Sequence, residues 1–279
     1  MATPRAGHTG DQHDDPNDQQ RARAAAAART LESMFNAHDP QLVDRVFSPS
    51  YIQHNPLIPN GVAPVRGFVE SLAAVTQPII AVQRAIAEGE FAAVHSHYAW
   101  SPTFQLDGGR GSAVVDIFRF GPEGTIVEHW DVAQAVPETS VNAHTMLDGA
   151  GDPAVAIPAA ALAANKALVM RFFQTVNTGD TSAFSTLFAE DYIQHNPHVA
   201  NGRDAVVRLF SERGPAQTVV KRLIAQGDLV FAHVHYVPRN LAGVDIYRLA
   251  DGRIVEHWDV LQEIPTSTAS GNDMFSQLS

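Results

Sequence analysis

The chain has no cysteine, only three tryptophans, and no apolar run near the roughly 20 residues needed to cross a bilayer. Without cysteine, disulfides, thiolate nucleophiles and cysteine-ligated metal are excluded. Basic residues are also scarce: 19 Lys and Arg stand against 30 Asp and Glu, giving a net charge of −11. That balance supplies no basic face for nucleic acid or an anionic membrane, and it keeps a protein soluble. No nucleophile elbow, Gly-rich phosphate loop or dinucleotide fingerprint occurs, so no cofactor is implied. The first residues lack an apolar signal core, which makes the cytoplasm the expected compartment.

What is present is repetition. The hexapeptide Tyr51-Ile52-Gln53-His54-Asn55-Pro56 recurs unchanged from Tyr192 to Pro197, an offset of 141 residues (192 against 51). Each copy is followed at the same distance by an Asn-Gly pair, Asn60-Gly61 and Asn201-Gly202. His95-Ser96-His97-Tyr98 is answered by His233-Val234-His235-Tyr236. Strands centred on Asp116 and Asp245 follow, then Glu128-His129-Trp130-Asp131-Val132 and Glu256-His257-Trp258-Asp259-Val260, offset by 128 (256 against 128). The offset falls where the first copy has the Gly- and Pro-rich stretch 101–111 and the second only Pro238-Arg239-Asn240, a hairpin shortened in one copy. So long a period means two whole domains, not a solenoid.

Within each copy, helical spacing comes first. Leu31, Met34, Phe35 and His38 share a face, as do Val169, Phe172, Phe173 and Val176. Two shorter helices follow, and then the period changes to two, giving four strands between residues 79 and 136 and their equivalents. Helices followed by an antiparallel meander define an α+β class, with a small-ligand pocket expected where a curved sheet wraps the helices. The expected boundaries are a disordered tail over 1–20, domains over 21–137 and 161–265, a linker over 138–160 and a flexible C-terminus over 266–279.

The two signatures resemble the SnoaL-like branch of the nuclear-transport-factor-2-like superfamily. The resemblance rests on Tyr-Ile-Gln-His-Asn-Pro before Asn-Gly, and on Ile-Val-Glu-His-Trp-Asp near the end of each copy. It implies two cone-shaped α+β barrels joined as an intrachain pseudo-dimer. Polyketide cyclases, ketosteroid isomerases and non-catalytic binders share that fold, and fold alone does not choose among them. The resemblance also implies a general-base Asp four residues after the Trp of the last strand, where this chain has Gln134 and Gln262.

Strand parity sorts the remaining candidates without saying which face lines a pocket. Asp116 and Asp245 sit among apolar neighbours, where an unpaired carboxylate is costly, so each is expected to be a base partnered by His97 or His235. His54 and His195 are expected at the pocket mouth. Tyr51, Tyr192, His95, His233, Trp130, Trp258, His129, His257, Gln134 and Gln262 complete the expected substrate contacts. The expectation is cofactor-independent acid–base chemistry on a small, partly apolar carbonyl compound. A non-catalytic binder and a His-ligated metal enzyme are the alternatives.

Overall fold

A computed structural model describes residues 16–74, 79–99, 110–149, 153 and 156–277. The first half runs through helices α1 (Pro16–Asn36) and α2 (Pro40–Val46), strand β1 (Phe47–Gln53), helix α3 (Val62–Ser71), and strands β2 (Ile80–Glu88), β3 (Phe91–Tyr98), β4 (Ser112–Phe120) and β5 (Ile126–Ala135). The second repeats it: α4 (Ala159–Thr178), α5 (Phe184–Leu187), β6 (Phe188–Gln194), α6 (Arg203–Arg213), β7 (Thr218–Gln226), β8 (Leu229–Tyr236), β9 (Leu241–Ala250) and β10 (Arg253–Glu263). Each half is an α+β fold with a five-stranded mixed sheet, ordered β1-β5-β4-β3-β2 and β6-β10-β9-β8-β7.

Small polar devices recur in both halves and explain why their residues do. Asn36, at the end of α1, accepts from the backbone N–H groups of Ile79 and Ile80, and Asn177 does the same for Thr218. The helix end is thereby tied to the first strand of the meander. Asn60 accepts from Gln53 N–H and Asn201 from Gln194 N–H. The glycines after them adopt φ of 97° and 88°, a region that disfavours any side chain. That is the physical meaning of the repeated Asn-Gly.

The sequence pattern missed one element. The first residues of the hexapeptide are strand, not connection: β1 pairs parallel to β5, with Gln53 beside His129, and β6 pairs parallel to β10, with Gln194 beside His257. Pro56 and Pro197 lie in the turns that follow these strands. A second difference lies at the start, where residues 16–20, expected to be disordered, form the first turns of α1. The Gly- and Pro-rich stretch 101–109 and residues 1–15 lie outside the described residues.

The two sheets pack against each other. One apolar cluster joins Ile86, Val115, Ile117, Trp130 and Val132 to Ile224, Phe231, Val244, Ile246, Trp258 and Val260. Around it the bonds are reciprocal. Ala87 N–H donates to Gln226 and Ala225 N–H to Glu88, while Ala133 N–H donates to Gln262 and Leu261 N–H to Gln134. This is the self-complementary pattern of a two-fold interface, drawn within one chain.

Two straps complete the exchange. Residues 141–149 follow the first half but lie on the second, and residues 269–277 follow the second but lie on the first. Val141 N–H donates to Pro197 O, and Ala269 N–H to Pro56 O. Met146 and Met274, 128 positions apart, are each 1% exposed in the shared core. The sequence reading gave these stretches no packing role. Among the described residues no helix is long and apolar enough to cross a membrane.

Candidate functional site

Successive residues of β5 and β10 face opposite ways, so the Glu-His-Trp-Asp motif divides between two environments. His129 and Asp131, with their equivalents His257 and Asp259, face the helices inside each half. Glu128 and Trp130, with Glu256 and Trp258, face the other sheet.

On the inner face, Asp116 pairs directly with Asp131 across two antiparallel strands, and Asp245 with Asp259. Like charges at such positions repel. The histidine two residues before each Asp fills the diagonal between them. His129 Nε2 lies 3.0 Å from Asp116 Oδ1, and His257 Nε2 lies 3.1 Å from Asp245 Oδ1. Their Nδ1 atoms lie 2.9 and 3.0 Å from the side-chain oxygens of Gln53 and Gln194. Tyr98 and Tyr236 donate to the second oxygen of Asp116 and Asp245, at 3.1 and 2.5 Å. Asn55 donates to Asp131 at 2.5 Å, and Asn196 to Asp259 at 2.7 Å.

These contacts set proton affinities. Burial pushes Asp131 up to about 6; Asp116 adds to the rise, while His129 and Asn55 oppose it. Burial also raises Asp259, with the charge of Asp245 adding to it. Burial disfavours a charged His129, but the hydrogen bond to Asp116 and the two carboxylate charges outweigh it and hold the ring above its ordinary value. Burial and the neighbouring aspartates raise the phenols of Tyr98 and Tyr236.

In the second half this group lines a cavity of about 480 Å³. Phe172, Phe188, Val206 and Phe210 supply apolar wall; Asp245, Asp259, His257 and Tyr236 converge as its polar patch; Arg213 and Arg239 stand among its lining as exposed cations. Ligand atoms of Asp245, His257 and Asp259 lie within 4.8 Å of one another, as do those of Asp116, His129 and Asp131, so either trio could hold a metal ion.

The outer face gathers the other candidates. His54 stacks on Trp130 with ring centroids 4.9 Å apart, and His195 on Trp258 at 4.6 Å. Their Nε2 atoms lie 2.9 and 2.8 Å from Glu128 and Glu256, which Arg119 and Arg248 also hold. Burial works against the charge on Glu256, but the bonds from His195 and Arg248 keep it below the ordinary glutamate range. Each indole also takes an arginine from the opposite half, Arg222 at 3.9 Å from the Trp130 ring and Arg84 at 4.1 Å from Trp258. Those arginines, both pulled down to about 10 by burial, lie 2.5 Å from Nδ1 of His233 and His95. Burial and the adjacent guanidinium push both histidines well below their ordinary value, so they are neutral acceptors.

Several expectations are therefore corrected. His97 and His235 do not partner Asp116 and Asp245: they project from the opposite face, His97 to Arg110 O and His235 onto Phe275. His54, His195, His95, His233, Trp130 and Trp258 face the opposite sheet and not a cone. Gln134 and Gln262 cross-link the halves, although Gln134 also reaches the cavity of the second half. Tyr192 lines that cavity, and Tyr51 packs edge-on against Phe47. Asp131, Asp259, Tyr98, Tyr236, Asn55 and Asn196 went unselected. The signal was parity: Tyr98 alternates with His97, and Asp131 shares a face with His129.

A helix-backed mixed sheet with its polar patch inside a cone defines the nuclear-transport-factor-2-like class of α+β proteins, here in two halves. The SnoaL-like domain model matches residues 27–129 and 169–257, more than half of the chain, and the chain belongs to that family as a tandem duplicate. Among solved structures it resembles a protein of unknown function from Burkholderia xenovorans (19% identity, TM-score 0.34, covering 38% of this chain and 88% of that one). It also resembles TsrD from Streptomyces laurentii (20%, 0.34, 41% and 90%) and a candidate ketosteroid isomerase from Kribbella flavida (22%, 0.34, 42% and 92%). No curated protein matches the sequence.

Proposed function

We propose that the second half, and by its repeated residues the first, performs cofactor-independent acid–base chemistry on a small, partly apolar carbonyl compound. One observation carries this: two carboxylates oppose each other across adjacent strands, with a histidine between them, on the wall of a largely apolar cavity. Asp259 is the base. Burial lifts its proton affinity towards the working pH, which suits a group that must both take and return a proton. Asp131, pushed up to about 6, is its counterpart.

The reaction follows from the placement. Asp259 removes a proton from the carbon next to the carbonyl, and Tyr236 meets the charge that develops on the carbonyl oxygen. Asp245 and His257 hold that hydroxyl and resupply its proton. Asp259 then returns its proton at a different carbon, an isomerisation, or the carbanion attacks a second carbonyl of the same substrate, whose π bond breaks to an alkoxide that takes the proton back from Asp259, a cyclisation. Arg213 and Arg239 favour a substrate with an anionic group towards the lining's cationic side. The packed sheets support reading the chain as an intrachain pseudo-dimer.

Exchange of solvent deuterium into cyclic ketones, followed by proton NMR, tests the chemistry. Wild type should label the α-carbon and the double variant Asp131→Asn/Asp259→Asn should not. Ligand binding with no labelling would instead establish the non-catalytic reading, which the amides of Gln134 and Gln262 at the family's base position favour.

A further inference from the structure

The two straps are built alike but are not chemically alike. In each, a backbone carbonyl lies beside Nδ1 of the hexapeptide histidine, Thr145 O at 2.9 Å from His195 and Asp273 O at 2.5 Å from His54. In each, the carbonyl three residues further on accepts from the indole: Trp258 donates to Asp148 O and Trp130 to Ser276 O. The side chains at matching positions differ. The first strap presents His144 and Asp148 where the second has Asn272 and Ser276, 128 residues on.

From this we infer that His144, Asp148 and His195 form a site for a divalent transition-metal cation such as zinc, in the second half only. One ligand atom from each of the three lies within 4.8 Å of the others. His195 Nδ1 is 3.0 Å from Asp148 Oδ1, His144 Nδ1 is 3.7 Å from Asp148 Oδ2, and the two imidazole centroids are 5.0 Å apart. The far side of His195 has the arrangement that metal-bound histidines favour. Its Nε2 lies 2.8 Å from Glu256, itself held by Arg248, an outer carboxylate that orients the ring and leaves Nδ1 facing the strap as the ligand nitrogen.

The near side also calls for a cation. Nδ1 of His195 faces a carbonyl and a carboxylate, both acceptors with no proton to give. A metal ion there would be bound by two imidazole nitrogens, a carboxylate oxygen and the Thr145 carbonyl, a set that suits zinc and its neighbours in a chain with no thiolate. Gly149 closes over the inner edge: a Cβ there would stand 2.4 Å from Glu256 Oε1 and 2.9 Å from His195 Nε2. The site lies outside the cavity and has no part in the proposed reaction. Its role is to clamp the strap of one half onto the other.

The test uses the full chain stripped with chelator and titrated with zinc chloride alone, by calorimetry and thermal melting. Wild type should take up about one equivalent and melt higher with zinc. His144→Ala and Asp148→Asn, both at partly exposed positions, should each weaken uptake by at least about tenfold and abolish the thermal shift. Uptake well below one equivalent by wild type would overturn the site. So would uptake unchanged in both variants, or lost only in His8→Ala/His13→Ala.

Discussion

The two faces of one strand carry different chemistry, and the four residues Glu256 to Asp259 show it most clearly. Inward, His257 and Asp259 meet Asp245, Tyr236 and Asn196 beside a cavity. Outward, Glu256 and Trp258 meet His195, Arg248 and Arg84, with the indole fully buried. Inside, two carboxylates crowd one histidine and proton affinities are strained. Outside, each buried carboxylate has a histidine on one oxygen and an arginine on the other. A site for chemistry leaves charge unbalanced where a ligand can enter; a site for cohesion leaves none. The lesson is that a dense polar motif is not one site.

The comparison can be broken by changing one face at a time. The largest expected effect is on turnover: Asp131→Asn together with Asp259→Asn should lower it by about 100- to 10,000-fold without lowering the urea midpoint at neutral pH. An equal loss of stability would erase the distinction between faces. Next is the outer face, where Glu128→Ala removes the buried carboxylate that His54 and Arg119 share. It should cost about 3–5 kcal/mol in urea unfolding. Activity of the folded second half should persist.

The pH dependence gives the two faces opposite signs. His95 and His233 are held below their ordinary value, so the unfolded chain binds protons near pH 6.5 that the native one refuses. Their contribution is full above pH 6.5 and lost as pH falls, by up to about 1.4 kcal/mol per pH unit for each ring. Paired His95→Gln and His233→Gln substitutions should flatten that slope. Asp131, raised to about 6, contributes fully below pH 3.8 and loses that contribution as pH rises through about 6. Asp131→Asn should therefore steepen the net acid loss. Urea midpoints between pH 4 and 7 read both. The smallest effect is at the cavity: Arg213→Ala should raise KM several-fold for an anionic substrate and leave a neutral one unchanged.

Much of the fold was legible because duplication supplies its own control. Helical and two-residue periods appeared twice in the same order, and the four-strand run expected between residues 79 and 136 is observed from Ile80 to Ala135. The site was harder to read. Parity grouped His129 with Asp131 and His95 with His97, but only the third dimension says which group meets the helices. Strand β1 stayed hidden because its pairing partner lies more than 70 residues away, and its residues Ser48, Pro49 and Ser50 have little strand propensity. Met146 and Met274 matched at the same offset as the last signature. They sat in stretches whose glycine, proline and small residues otherwise indicate a connection.

The reciprocal straps have a consequence for how the molecule could be divided. A break placed between residues 150 and 158 would leave each product missing the cover over its own His54 or His195, and carrying the one its sibling needs. Such fragments are complementary parts rather than independent units. Expressed separately they should remain incomplete, and mixed they should restore one another, each strap returning to the half it covers.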